Sequence, residues 1–282
     1  MFLITLGTAG FLLAATVLLF IFQRSLMYFP MEYEEEVKDN LPPYVAPVLY
    51  DTPCGRQMSF YRQPANGDET PERLWIFLGG NAFRSLLWLN FPELFADEEA
   101  GYFLMEYPGY GFCEGKPSRE NIIESMESAF DSLGKHLGMK ESEMATDLNL
   151  LGHSLGCATS LEFASRHPVK KVILLAPFTS ALDAARSMVP PPWHYLLIDR
   201  FDNMTRLSEL AARENPPSVY IFHGTADRIL SHKMGKRLSE SEPEITEFHS
   251  YEGVGHNEVI EVAIPEIRKI LNDASSSGRQ DN

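Results

Sequence analysis

The chain has 282 residues, 44% hydrophobic and 22% charged, so it can bury a full core as one large α/β domain or two small ones. This composition excludes disorder and low complexity for most of its length. Lys and Arg number 24 against 39 Asp and Glu, and a net charge of -15 would repel nucleic-acid phosphates, so we exclude nucleic-acid binding. Cys54, Cys113 and Cys157 lack the spacing of a structural zinc site, which favours unpaired core thiols.

Residues 2–22 contain no charged side chain and predict one N-terminal transmembrane helix. At a rise of 1.5 Å per residue, the segment reaches roughly 30 Å, the thickness of the hydrocarbon core. A cleaved signal peptide is the alternative, but residues 23–26 follow directly and offer no A-x-A-like cleavage site. Arg24 and Lys38 follow the span and no cation precedes it, which favours a cytoplasmic catalytic domain. We therefore predict an uncleaved membrane anchor over residues 1–25.

Short apolar runs alternate with helix-like stretches after residue 40. Five runs have the character of buried parallel strands: 74–78, 102–105, 148–151, 172–175 and 219–222. Residues 118–137 have apolar positions at helical spacing behind Ser118 as N-cap, and residues 44–50 and 57–61 predict an antiparallel hairpin that opens the sheet. This alternation predicts an α/β fold with a mostly parallel sheet and helices on both faces.

The chain divides into four predicted parts. Residues 26–40 form a juxtamembrane linker after the anchor, residues 41–272 form the α/β domain, and residues 273–282 form a disordered tail. Residues 177–216 interrupt the strand–helix rhythm inside the domain, because the Pro-Pro-Pro-Trp sequence at 190–193 cannot continue a helix. We expect this segment to form a cap-like excursion above the sheet.

A G-x-S-x-G motif at residues 152–156 directly follows the apolar run at 148–151, and a helix-like stretch comes next. Glycines two residues on either side of Ser154 allow the strained strand-to-helix turn, the nucleophile elbow, that lifts the serine hydroxyl clear of the sheet. The helix behind this turn stabilises developing negative charge, and the Leu155 N–H can face an oxyanion. The motif therefore predicts a serine nucleophile.

A serine hydroxyl is a poor nucleophile at neutral pH and needs a base that an acid holds in place. Asp227 follows the apolar run at 219–222, and His256 follows a strand-like stretch at 245–251. Both residues are predicted on loops at the carboxyl ends of strands, and the chain order Ser, Asp, His is the order of α/β-hydrolases. Asp202 is the alternative candidate for the acid.

The loop after the third strand should supply the second donor of an oxyanion hole, and here it contains Gly79, Gly80, Asn81 and Ala82. With this loop the chain resembles the α/β-hydrolases, and it is similar to small membrane-anchored serine hydrolases that include bacterial S33-like hydrolases and eukaryotic protein depalmitoylases. The resemblance rests on residues 79–82, 107–111 with Gly115, 152–156, 176–180, 200–202, 223–227 and 255–256.

The resemblance implies a role for each matching position. Ser154 is the nucleophile, Asp227 and His256 are its triad partners, and the backbone N–H groups of Asn81 and Leu155 form the oxyanion hole. Two positions depart from the family pattern. Gly79 stands where the family usually has a histidine, so the loop lacks that side-chain brace, and Cys113 stands where serine is common after the Gly-Tyr-Gly turn.

These residues predict a serine hydrolase that works through an acyl-enzyme, without a metal or an organic cofactor. Ester or thioester substrates of a small-molecule, lipid-like or acylated-protein kind are favoured. Phe83, Phe178 and Trp193 are the predicted substrate-binding residues, with Met188, Leu196 and Leu197 available beside them, and an apolar pocket of this kind should prefer medium-chain to acetyl esters. An S33-like peptidase is the alternative within the class. A catalytically weak, membrane-tethered binding or scaffold protein is the alternative outside it.

Overall fold

A computed structural model describes residues 2–68 and 70–272, with side chains from residue 12 onward. The predicted tail at 273–282 lies outside the described residues, and so do residue 1 and the side chains of residues 2–11 in the predicted anchor. Among the residues that the structure describes, no helix has both the length and the apolar character needed to cross a membrane. The predicted boundaries at residues 25, 40 and 272 stay predictions.

An eight-stranded sheet forms the centre of the fold, in the order β1-β2-β4-β3-β5-β6-β7-β8. The β2 strand runs antiparallel to both of its neighbours, and all other strand pairs from β3 to β8 are parallel. The strands are Val45–Thr52 (β1), Gly55–Arg62 (β2), Arg73–Leu78 (β3), Ala100–Met105 (β4), Leu148–His153 (β5), Lys171–Leu175 (β6), Ser218–Gly224 (β7) and Thr246–Tyr251 (β8). The predicted mostly parallel sheet is therefore confirmed, together with its opening hairpin.

Helices cover both faces of this sheet. They are Phe2–Met27 (α1), Glu36–Asp39 (α2), Arg119–Leu137 (α3), Glu141–Met144 (α4), Leu155–Ala164 (α5), Ala181–Met188 (α6), Asn203–Ala211 (α7), His232–Ser241 (α8), Glu258–Val262 (α9) and Ile264–Asn272 (α10), with 3₁₀ helices at Ser85–Asn90, Pro92–Phe95, Ala145–Asp147 and Trp193–Leu196. Apolar side chains of α3, α5, α7 and α8 pack into one core, and those of α9, α10 and the first two 3₁₀ helices pack into a second core. The two cores bury the sheet from opposite sides, as an α/β fold requires.

Local signals set the ends of the long helix as the sequence predicts. The Ser118 side chain accepts a hydrogen bond from the Asn121 N–H at 3.1 Å and so caps the first turn of α3. The helix ends at Leu137, and the next residue, Gly138, adopts a left-handed φ of 66° that closes the helix. Its apolar stripe then packs on the sheet, which stabilises the helix more than its intrinsic propensity does.

Strand direction determines where the predicted site residues lie. Because β5, β7 and β8 are parallel, their carboxyl ends meet at one edge of the sheet. Ser154 directly follows β5, Asp227 follows β7 and His256 follows β8. The connection between β6 and β7 contains α6, the 3₁₀ helix Trp193–Leu196 and α7.

Candidate active site

Ser154 lies on a strained turn between β5 and α5. Its φ of 55° and ψ of -111° belong to a region that residues other than glycine rarely adopt. The Ser154 N–H donates to the Leu175 carbonyl at 2.9 Å, which fastens the turn to the next strand. A Cβ at Gly156 would collide with the Leu78 carbonyl oxygen, so only glycine lets α5 approach β3 this closely. This geometry is that of a nucleophile elbow.

Asp227 accepts hydrogen bonds from four donors. Its Oδ2 accepts from His256 Nδ1 at 2.7 Å and from His223 Nε2 at 3.1 Å, and its Oδ1 accepts from the backbone N–H groups of Ile229 at 2.8 Å and Leu230 at 2.9 Å. Burial by itself would raise the pKa of Asp227, but the hydrogen bonds from the two histidines and from the Leu230 N–H outweigh burial and hold this pKa below its usual range. The group is therefore a carboxylate, and a neutral His256 that donates from Nδ1 has its Nε2 free to take a proton.

Asp202, the alternative candidate for the acid, caps helix α7 in the structure. Its carboxylate accepts from the Thr205 N–H at 3.1 Å and from the Thr205 hydroxyl at 2.9 Å. These bonds cap the first turn of α7, which begins at the next residue. The carboxylate that contacts His256 is that of Asp227.

His153 joins the elbow to the His256 loop. Its Nε2 donates to the His256 carbonyl at 3.2 Å, and the two rings lie 5.0 Å apart between centroids. Burial and then the neighbouring His256 lower the pKa of His153 to about 3, so this imidazole stays neutral. No hydrogen bond joins the Ser154 hydroxyl to His256 among the described residues. The structure thus brings His256 to Asp227 and to the elbow.

His153 and His223 contact the predicted triad, and sequence reasoning gave neither of them this role. The buried His223 ring donates from Nε2 to both Asp227 and the Leu230 carbonyl, the latter at 3.1 Å. The spacing of four residues between His223 and Asp227 was the available signal, because a short loop after a strand can fold that far back on itself.

The predicted oxyanion loop lies directly against the elbow. A Cβ at Gly80 would come within 2.8 Å of His153 Nδ1 and 3.3 Å of the Ser154 Cβ, so the loop backbone approaches the turn closely. Within the described part of the chain, neither the Asn81 N–H nor the Leu155 N–H donates to a protein acceptor. Two backbone donors near Ser154 are therefore available to an oxyanion.

The Asn81 side chain fastens this loop to the N-terminal segment. Its Oδ1 accepts from the Phe29 N–H at 2.8 Å, from its neighbour Ala82 N–H at 3.0 Å and from the Tyr110 hydroxyl at 2.7 Å. Its Nδ2 donates to the Met27 carbonyl at 2.7 Å. These four hydrogen bonds of the Asn81 side chain hold the loop in place.

Gly79 also has a brace, although it lacks the histidine that the family usually places there. The Tyr107 hydroxyl donates to the Gly79 carbonyl at 3.0 Å and lies 2.9 Å from the Thr159 hydroxyl of α5. A buried tyrosine thus connects the oxyanion loop to the elbow helix. Hydroxyl and amide side chains from distant segments therefore support this loop, where the family usually has a histidine.

A cavity of about 320 Å³ opens above the elbow. Ser154, Leu155 and Asn81 line one part of it, and Phe178 and Trp193 line another part. The Phe83 side chain, also predicted to bind substrate, is not part of this lining, and its ring packs against Trp88 at 4.8 Å between centroids. The chain turns after Gly80 in such a way that Phe83 joins the core on the other face of the sheet.

Comparisons with known proteins agree with this fold. The family model for the alpha/beta hydrolase fold matches residues 76–203. Alpha/beta hydrolase domain-containing protein 17C of Xenopus tropicalis is 30% identical over 157 residues, which cover 56% of this chain and 47% of that protein. The human protein of the same name is 29% identical over 157 residues, which cover 56% of this chain and 44% of that protein. The match thus spans about half the length of these relatives.

Solved structures share the architecture at low sequence identity. An esterase from Pyrococcus furiosus aligns with a TM-score of 0.63 at 14% identity and covers 87% of this chain and 94% of its own. A serine hydrolase without lid from Xanthomonas campestris aligns with a TM-score of 0.57 at 14% identity. The alignment covers 83% of this chain and 98% of that protein. These likenesses show the fold alone. The chain thus has the α/β-hydrolase fold, and the family model for that fold matches it over residues 76–203.

Proposed function

We propose that the chain is a serine hydrolase that cleaves a carboxylic ester or thioester of an apolar acyl group. One observation carries this proposal: Ser154 lies on a strained elbow at an apolar cavity, beside the hydrogen-bonded pair of Asp227 and His256. Backbone strain of this kind persists only where the surrounding structure enforces it, and strained residues cluster at active sites. A serine hydroxyl, a base and an acid in this order are the parts that acyl transfer needs.

In this mechanism His256 Nε2 takes the proton of Ser154 as Oγ attacks the substrate carbonyl carbon. The N–H groups of Asn81 and Leu155 stabilise the tetrahedral oxyanion. Collapse of that intermediate transfers the proton from His256 to the leaving alcohol or thiol and leaves the acyl group on Ser154. A water molecule, deprotonated by His256, then attacks the acyl-enzyme, and the acid leaves as Ser154 regains its proton. Asp227 keeps the His256 Nδ1–H tautomer throughout.

The chemistry of the cavity favours an acyl substrate over a peptide. No Asp, Glu, Lys or Arg is among the described residues that line it. An aminopeptidase needs a buried acidic group to hold the substrate amine, since an unpaired ammonium in an apolar site is costly. An apolar acyl chain carries no such penalty and gains from burial. For this reason we favour ester or thioester hydrolysis over S33-like peptidase activity.

Fluorophosphonate labelling of the full-length protein in detergent tests the proposal. We expect labelling of the wild-type protein and none of Ser154→Ala, because the probe forms its covalent bond only with an activated serine. Ser165→Ala is the matched control: this serine follows the same helix α5 and donates to the Glu162 carbonyl, so the variant should label like the wild type. A folded wild-type protein that does not label, and that hydrolyses no ester, would support the binding or scaffold alternative.

We further propose that the N-terminal segment associates the domain with a membrane and that the domain faces the cytoplasm. The uncharged residues 2–22 support this, as do the two cations Arg24 and Lys38 behind them. The native protein should sediment with membranes and stay there after alkaline and high-salt washes. Release into the supernatant by either wash would contradict the proposal, and a mature N-terminus beyond residue 25 would show a cleaved signal peptide.

A further inference from the structure

Helix α1 contributes one side of the cavity above Ser154. Leu19, Leu26 and Met27 line it together with Phe29, which follows the helix. The facing side belongs to the helix α6 and the segment after it, whose lining residues include Ala185, Met188, Trp193, His194 and Leu197. Together they form a groove, which we call the α1–α6 groove. It leads from the elbow outward between the N-terminal helix and the connection that follows β6.

Polar contacts hold α1 in position against this connection. Arg24 donates to both carboxylate oxygens of Asp199, at 3.1 Å from Nε and 3.0 Å from Nη2, and the Asp199 side chain is only 1% exposed. The Ile198 N–H donates to the Gln23 side-chain oxygen at 2.7 Å, and Trp193 Nε1 donates to the Thr16 hydroxyl at 2.8 Å. A carboxylate this deeply buried requires its partner, because removal of the arginine would leave an uncompensated charge. The helix is therefore a fixed part of the groove.

The outer side of the α1–α6 groove opens onto an apolar surface. Apart from Tyr44, Leu49 and Val262, the large hydrophobic side chains that the structure exposes lie on α1, directly after it, or around the groove: Leu12, Leu13, Val17, Leu18, Phe20, Ile21, Phe22, Leu26, Phe29, Met31, Met188, Tyr195, Ile198 and Ile229. A concentration of exposed apolar side chains of this kind is typical of a binding or membrane surface. An acyl chain that leaves the groove thus stays in apolar surroundings.

We propose that α1 is one wall of the acyl-binding site, and that the α1–α6 groove takes the long hydrocarbon tail of the substrate while its ester or thioester carbonyl reaches Ser154. This inference rests on the proposed hydrolase function and names its substrate class, a long-chain acyl group. The groove offers no described charged side chain to a polar head group, so the acyl end enters and the leaving group stays outside. The helix that precedes the domain thereby helps to determine which chain lengths are hydrolysed.

A pair of neighbouring tryptophan substitutions in α1 tests this. Leu19 lines the groove, whereas Leu18 is 55% exposed and does not line it. We expect Leu19→Trp to lower the ratio of kcat/KM for p-nitrophenyl palmitate to that for p-nitrophenyl butyrate by at least about tenfold, since each methylene kept out of the groove costs about fourfold. Leu18→Trp should keep the wild-type ratio. Both are measured on the full-length protein in the same detergent.

The facing wall supplies a second variant, Ala185→Trp, which should lower the same ratio by a similar factor. Fluorophosphonate labelling of each variant reports whether its elbow is intact. If labelling persists and neither Leu19→Trp nor Ala185→Trp changes the ratio relative to Leu18→Trp, the groove is not the acyl site and this inference is overturned. If the wild-type protein neither labels nor hydrolyses either ester, the proposed function itself fails.

Discussion

Replacing Asp227 with asparagine should lower kcat for ester hydrolysis by about 10⁴-fold. The carboxylate accepts from His256 and His223 through one oxygen and from the Ile229 and Leu230 N–H groups through the other. An amide has one oxygen and one NH₂ group, so one pair of donors would face another donor. His256 can then escape the conflict only by accepting at Nδ1, which leaves its proton on Nε2. In that tautomer it cannot take the Ser154 proton.

Asp202→Asn is the matched control for this substitution. Asparagine is as good an N-cap residue as aspartate, and the Asp202 carboxylate bonds only with Thr205 among the side-chain contacts described. This variant should keep the wild-type kcat. Steady-state hydrolysis of p-nitrophenyl butyrate is compared for the wild type, Asp227→Asn and Asp202→Asn. A wild-type kcat in Asp227→Asn would show that Asp227 has no part in the mechanism.

Replacing Asn81 with alanine should lower kcat by about 10²-fold, with a much smaller change in KM. The variant keeps its backbone N–H but loses the side-chain bonds to Met27, Phe29, Ala82 and Tyr110 that hold the oxyanion loop. An oxyanion donor acts only from the position that the transition state requires, and a displacement of about 1 Å can cost about 10²-fold. The loss should therefore appear in kcat and, in parallel, in the rate of fluorophosphonate labelling.

Tyr110→Phe separates this positioning effect from general damage to the loop. It removes one of the bonds to Asn81 Oδ1 and leaves those to the backbone of Met27, Phe29 and Ala82. We expect a loss of less than about tenfold in kcat, in keeping with one hydrogen bond of about 1 kcal/mol. An Asn81→Ala protein with wild-type kcat would show that its side chain does not position the loop.

Local patterns in the sequence determined the secondary structure and the elbow. A buried strand, a capped helix and a G-x-S-x-G turn each depend on residues close together in the chain, so periodicity and glycine placement were sufficient to predict β5, α3 and the turn at Ser154. The meeting of the loops that contain Asp227 and His256 was also predictable. Parallel strands bring their carboxyl ends to one edge whatever residues lie between them.

Local sequence patterns could not predict the directions of single side chains or the contacts between distant segments. Phe83 follows the oxyanion loop in the sequence, yet the turn after Gly80 sends its ring to Trp88 on the other face of the sheet. His153 and His223 have ordinary positions in the sequence, and only the packed loops show that they bind the His256 carbonyl and the Asp227 carboxylate. The direction of one side chain depends on backbone angles that no periodic pattern specifies.

The N-terminal segment shows most clearly what the sequence determined by itself and what required the tertiary structure. By itself the sequence determined that residues 2–22 are uncharged and strongly apolar, a property of composition alone. Only the tertiary structure decided that the end of α1 packs beside Ser154, through the bond of Arg24 to Asp199 and that of Asn81 to Met27. Arg24 and Asp199 are 175 positions apart in the chain. Such a contact depends on how the whole sheet and its connections fold, because no local interaction can select one partner over such a separation.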